Sequence, residues 1–191
     1  SGEKVLVIDE QEAISIALRP DSQQIAFGYW QGQIKLLDTD TGEVQLSIPA
    51  KTKAGKTNAV RDLDYGYDGS WLVAVYRRDH SVQLWATETG EQLYSFERTG
   101  PFLHSVAAHP SKPLVAVGGE YGTLFLWDAE TRKEIKVLEG HTAEIKTLHF
   151  TLDGNYLVSS AEDRTIRVWD MNTFELLDIL DGYTIPQQFA S

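Results

Sequence analysis

Residues 140–170 read GHTAEIKTLHFTLDGNYLVSSAEDRTIRVWD, and the reading of this stretch decides the fold. Leu152-Asp153-Gly154 supplies a hairpin turn, Leu157 to Ser160 a short strand, Asp163 the next turn, and Ile166 to Asp170 another strand. Ile166 and Val168 alternate at the two-residue period of a β-strand. The same closing pattern recurs upstream, in Gln33 to Asp38, Val82 to Ala86 and Leu124 to Asp128. Its matched residues Leu37, Trp85, Trp127 and Trp169 lie 48, 42 and 42 residues apart. Each is followed by a turn (Thr39 to Gly42, Thr87 to Gly90, Ala129 to Arg132, Met171 to Thr173) and a further short apolar strand. Each is preceded by a hairpin turn, at Pro20 to Ser22, Tyr67 to Gly69, His109 to Ser111 and Leu152 to Gly154.

The strands are apolar on both faces, as in Leu124-Phe125-Leu126-Trp127. A sheet with two apolar faces must be covered on both. A two-layer sandwich covers one face of each sheet, whereas a radial or linear stack of sheets covers both. Four short strands in a repeat of about 42 residues are the signature of a propeller blade. The expected fold class is therefore all-β: a β-propeller with four blades of four antiparallel strands each.

In these motifs the chain resembles the WD-repeat family. The likeness extends over nearly the whole sequence and is closest in the fourth repeat, with Gly140-His141 at its start and Trp169-Asp170 near its end. The resemblance implies a buried hydrogen-bonded tetrad of His141, Ser159, Asp163 and Trp169. The other repeats depart from it. The second keeps Asp79 and Trp85 but has Val75 at the Ser place. The third has Tyr121 at the Asp place and Val117 at the Ser place, and the first has Gln31 and Leu37 in place of Asp and Trp. These three blades are expected to hold together by apolar packing alone.

The repeat divides the chain into an outer strand at 4–9, blades at about 12–49, 58–97, 103–139 and 144–181, and the start of a further repeat at 182–191. Propellers of this family resemble rings of seven or eight blades, roughly 300 residues at the usual repeat length. Four blades leave two faces bare, and large bare apolar faces mark an interface. The chain is then a part of a longer propeller, half of an eight-bladed ring closed by a second copy, or an arc completed by a different polypeptide.

Of the 191 residues, 28 are acidic and 17 basic, a formal net charge of -11. Such a chain is poorly suited to nucleic acid, whose affinity comes from clustered Lys and Arg. There is no cysteine, so no disulfide or thiolate metal site forms, which fits a cytoplasmic setting. No apolar run approaches the roughly 18 residues that span a bilayer, so no membrane partner is expected.

Catalysis finds no support. Ala54-Gly55-Lys56-Thr57 echoes a phosphate loop, but Ala50 stands where that motif needs Gly, and no helix follows. Lys51, Lys53 and Lys56 then form a basic loop in an acidic chain. None of the five histidines shows metal spacing. His80 and His109 read as surface turn residues, and His104 as the start of an inner strand near the channel. Asp62 and Asp64 alternate and so share one face, a polar or channel-facing edge. No cofactor is expected.

By resemblance, partners dock on the face where the loops gather around the channel. Before the Asp place stand Trp30, Arg78, Glu120 and Glu162. At the starts of the inner strands stand Glu12, Asn58, Phe102 and Glu144. Trp, Phe and Arg are the usual anchors of protein interfaces. The expected function is a non-catalytic protein-protein interaction scaffold that binds a protein or peptide. A regulatory sensor domain of a larger signalling protein is the second reading, and a channel-face enzyme the third.

Overall fold

The computed structural model describes residues 12–50, 58–77, 81–97 and 101–181. The expected outer strand at 4–9, the basic loop around Lys53, Arg78, Asp79 and His80, and the repeat start at 182–191 lie outside the described residues.

Sixteen strands form four separate four-stranded antiparallel sheets. Blade 1 holds β1 (Ala13–Leu18), β2 (Gln24–Tyr29), β3 (Ile34–Asp38) and β4 (Val44–Ile48). Blade 2 holds β5 (Val60–Tyr65), β6 (Trp71–Tyr76), β7 (Ser81–Ala86) and β8 (Gln92–Glu97). Blade 3 holds β9 (Leu103–Ala108), β10 (Leu114–Gly119), β11 (Leu124–Asp128) and β12 (Lys133–Val137). Blade 4 holds β13 (Ile145–Phe150), β14 (Tyr156–Ala161), β15 (Thr165–Asp170) and β16 (Leu176–Asp181). Neighbours in sequence are neighbours in each sheet, which short hairpin connections dictate.

The apolar faces pack blade against blade. Ala26, Ile34 and Leu36 of blade 1 meet Leu63, Leu72 and Trp85 of blade 2. Val73, Val75 and Leu84 of blade 2 meet Val106, Val115, Phe125 and Trp127 of blade 3. Ala116, Leu124 and Leu126 of blade 3 meet Leu148, Leu157 and Trp169 of blade 4. Trp85, Trp127 and Trp169 thus face the preceding blade. The inner strands β1, β5, β9 and β13 pack in succession and together border one cavity of about 430 Å³. The blades therefore form an arc around an axial channel.

Strand pairing corrects one assignment. Ser159 pairs with Arg167, and the matching pairs are Val117 with Phe125 and Ala74 with Gln83. Ala74, not Val75, occupies the Ser place in blade 2. The connection from Val75 to its partner Val82 is one residue longer than that from Ser160 to Ile166, which displaces the count along the sequence.

Nor do the first three blades rely on apolar packing alone. The Tyr65 hydroxyl donates to Gln24 Oε1 at 3.0 Å, joining blade 2 to blade 1. Asp62 Oδ2 accepts from the Ser105 hydroxyl and the Val106 N–H, both at 2.9 Å, and Asp64 Oδ2 accepts from the Ala108 N–H at 2.8 Å. An inner strand has an unpaired edge towards the channel, and a buried N–H there needs an acceptor. The two carboxylates of blade 2 supply it to blade 3.

Candidate functional site

Two polar arrangements and one surface stand out. The first lies inside blade 4. Trp169 Nε1–H donates to Ser159 Oγ at 2.9 Å, and Ser159 Oγ lies 2.8 Å from His141 Nε2. His141 Nδ1 lies 2.7 Å from Asp163 Oδ2. The acceptor at one end and the donor at the other orient the relay: Nδ1–H donates to the carboxylate, and Nε2 accepts the Ser159 hydroxyl. Burial lowers the His141 pKa and outweighs the opposing Asp163 charge, so the ring is neutral. Burial works to raise Asp163, but hydrogen bonds from His141, Thr165 and the Thr142 N–H outweigh it and hold the carboxyl well below its ordinary range. The Trp169 and Ser159 side chains are buried, so the relay holds the blade together and offers no open reacting centre. It brings His141, Ser159, Asp163 and Trp169 together.

The second arrangement lines the channel. His104, the second residue of β9, has both ring nitrogens buried without a hydrogen-bond partner among the described residues, with Nδ1 3.4 Å from Glu144 Oε1. Burial lowers its pKa against the pull of Glu144. Lys146 Nζ bridges Glu144 at 2.7 Å and Glu162 at 2.6 Å. Asp62 and Asp64 line the same cavity, as a channel-facing edge would. Burial raises both carboxyls against their N–H bonds, Asp64 to about 6.

The surface is the end of the blades that carries the β2–β3, β10–β11 and β14–β15 loops. Backbone bonds tie each loop to the start of its own inner strand: Trp30 N–H to Glu12 C=O, Glu120 N–H to Phe102 C=O, and Glu162 N–H to Glu144 C=O. Trp30, Glu120, Glu162, Glu12, Phe102 and Glu144 therefore share one face. Trp30 is 49% exposed, and the Arg77 guanidinium of blade 2 stacks 5.1 Å from its ring centroid. Phe102 is 40% exposed. Asn58 is not a surface residue. It is buried, and its carbonyl packs so closely on Gly32 that a Cβ there would approach it to 2.3 Å.

Two other histidine and aromatic readings change. His109 is buried rather than on the surface. Its Nδ1 accepts the Ser111 N–H at 3.1 Å and its Nε2–H donates to Gly154 C=O at 3.0 Å, clamping blade 3 to the hairpin turn of blade 4. Tyr121, which sequence reasoning placed only as a departure from Asp, is 80% exposed on the loop face. Its φ is 56°, in the left-handed region. A large aromatic at a place where the repeat calls for a small buried Asp is the signal that marks it.

Sheets stacked as blades around a channel, with a His–Ser–Trp relay inside one of them, define a WD-type β-propeller module. The model of the family "WD domain, G-beta repeat" matches residues 48–86, 90–128 and 132–170, and the chain belongs to the WD40 family. Blade 1, which lacks the Trp, forms a further four-stranded sheet ahead of the matched repeats. The chain is similar to Nuclear distribution protein PAC1 of Arthroderma otae, 31% identical over 166 residues, which cover 81% of this chain and 34% of that protein. It is also similar to Serine-threonine kinase receptor-associated protein of Gallus gallus, 32% identical over 110 residues, covering 58% and 31%. The chain spans about a third of the length of these curated relatives. No helix among the described residues is long and apolar enough to cross a membrane.

Proposed function

We propose that the chain is a non-catalytic interaction scaffold whose loop face binds a protein or peptide. One observation carries this reading: Trp30 of blade 1 and Phe102 and Tyr121 of blade 3 are all exposed on the loop face. Aromatic side chains bury large area at small entropic cost and dominate binding hot spots. Glu12 and Glu162, exposed around them, suit a partner with basic residues at the rim. A cytoplasmic setting and completion of the ring, by a second copy or another chain, belong to the same proposal. The test is to select peptides from a displayed library on this chain and rebind them after substituting the three aromatics. Loss of binding supports the reading, and unchanged binding moves the site elsewhere.

A second reading, a sensor segment within a larger signalling protein, draws support from the likeness to a kinase receptor-associated protein. Selected ligands that prove to be signalling-receptor segments would favour it.

A further inference from the structure

The inner strands share one irregularity. Their pairing slips by one residue between Ala13 and Ser15, Val60 and Asp62, Leu103 and Ser105, and Ile145 and Thr147. The residues left out of the ladders are Ile14, Arg61, His104 and Lys146, and all of them line the channel cavity. A bulge re-aims its side chain. The same bulge in every blade thus brings a guanidinium, an imidazole and an ammonium group to one cavity, next in the chain to the loop-face residues Phe102 and Glu144.

His104 is the unsatisfied member of this set. Both its ring nitrogens are buried and have no hydrogen-bond partner among the described residues, a costly arrangement for polar atoms. Glu144 Oε1 lies 3.4 Å from Nδ1, and Lys146 Nζ holds that same oxygen at 2.7 Å. Lys146 Nζ also holds Glu162 Oε1 at 2.6 Å. The other charged groups facing the ring are Arg61 on β5 and Glu120 on the β10–β11 loop. Asp62, beside Arg61, is occupied by the Ser105 hydroxyl and the Val106 N–H.

We propose that His104 is a proton-operated switch of the loop face: when the ring takes up a proton, Glu144 passes from Lys146 to His104 and the face weakens its hold on a basic partner. This rests on the reading of the loop face as a binding surface and adds its regulation. A buried imidazolium needs an acceptor, and Glu144 Oε1 has only to approach by about half an ångström to form a charge-assisted bond. Giving up Lys146 costs little, because that ion pair is partly exposed and Lys146 keeps Glu162. The new charge stands two residues from the exposed Phe102, so this part of the face becomes less acidic. Burial disfavours the imidazolium more than Glu144 favours it, so the switch works below the ordinary histidine value.

The test has two arms. In the first, NMR follows the His104 ring as pH falls. Glu144→Gln is expected to lower the His104 midpoint, and in the unsubstituted chain the Lys146 Cε signal is expected to move with that midpoint. In the second, calorimetry at about pH 7.5 and about pH 5.5 measures a lysine-containing peptide selected on this chain at the higher pH. The unsubstituted chain is expected to lose affinity by about threefold more than His104→Gln does over that interval. Asp64, which titrates at about 6 in the same cavity, is common to both proteins and cancels. A His104 midpoint indifferent to Glu144→Gln overturns the inference, as do equal pH profiles for the two proteins. Equal profiles with binding intact keep the scaffold and remove the switch. A chain that binds no selected peptide removes the scaffold, and the NMR arm alone then decides the change of partner.

Discussion

The indole of Trp169 donates its Nε1–H to Ser159 Oγ at 2.9 Å, whereas Trp127, at the same place one blade earlier, has Val117 at the Ser place and its Nε1 has no hydrogen-bond partner among the described residues. Both indoles are almost fully buried. One family place thus exists in two chemical forms within a single chain.

Removing the acceptor from blade 4 is expected to cost more than adding one to blade 3 gains. Ser159→Val leaves the Trp169 N–H and the His141 Nε2 both buried and unpaired, for a loss of about 2–4 kcal/mol by urea unfolding. Val117→Thr keeps the shape and offers the Trp127 N–H an acceptor, so stability is expected to change by less than about 1 kcal/mol.

Asp64 gives a pH signature of known sign. Its carboxyl titrates at about 6 in the folded chain, because burial disfavours the charge, and near its ordinary value of 3.8 when unfolded. Between these values the folded state binds the proton more tightly, so the group's contribution is fully present below the unfolded pKa and is lost as pH rises to about 6. Relative to Asp64→Asn, the unsubstituted chain is expected to lose about 2–3 kcal/mol over that interval and nothing further above it. The buried histidines act in the opposite direction. Burial lowers the pKa values of His104, His109 and His141, so their contribution is lost as pH falls below the ordinary histidine value. Taking the difference between the two proteins cancels them.

The His109 clamp leaves no space at Gly154. Gly154 has a φ of 70°, and a Cβ there would meet His109 Cε1 at 2.3 Å. Gly154→Ala is expected to destabilise the chain by about 2–3 kcal/mol, from left-handed backbone strain and displacement of the imidazole. His109→Ala in the same background should recover part of the loss by opening that space, a coupling that a double-mutant cycle measures.

The four blades were legible because strands that are apolar on both faces repeat at a nearly constant spacing, and because turns punctuate them. Blade 1 could be read this way without its Trp, since Ile34 and Leu36 keep the alternation. The Ser place of blade 2 was not legible, because a one-residue longer connection shifts Ala74 into it and Val75 out of it. Spacing carries no mark of which hairpin is longer. The loop face could be located by analogy between repeats, but exposure depends on neighbours. Asn58 is buried by the approach of Gly32, and Tyr121 stands exposed at a positive φ. The carboxylates of Asp62 and Asp64 were visible as a same-face pair. Their partners, 43 to 44 residues on in β9, are set by the packing of two blades.

The most direct test of the scaffold account is the affinity of a library-selected peptide, measured by calorimetry for three proteins. Substituting Trp30, Phe102 and Tyr121 together by Ala is expected to weaken binding at least about 100-fold, the loss of several hot-spot contacts. Leu152→Ala, at an exposed turn on the opposite end of the blades, is expected to leave it unchanged. Equal affinity in all three proteins would contradict the assignment of the loop face.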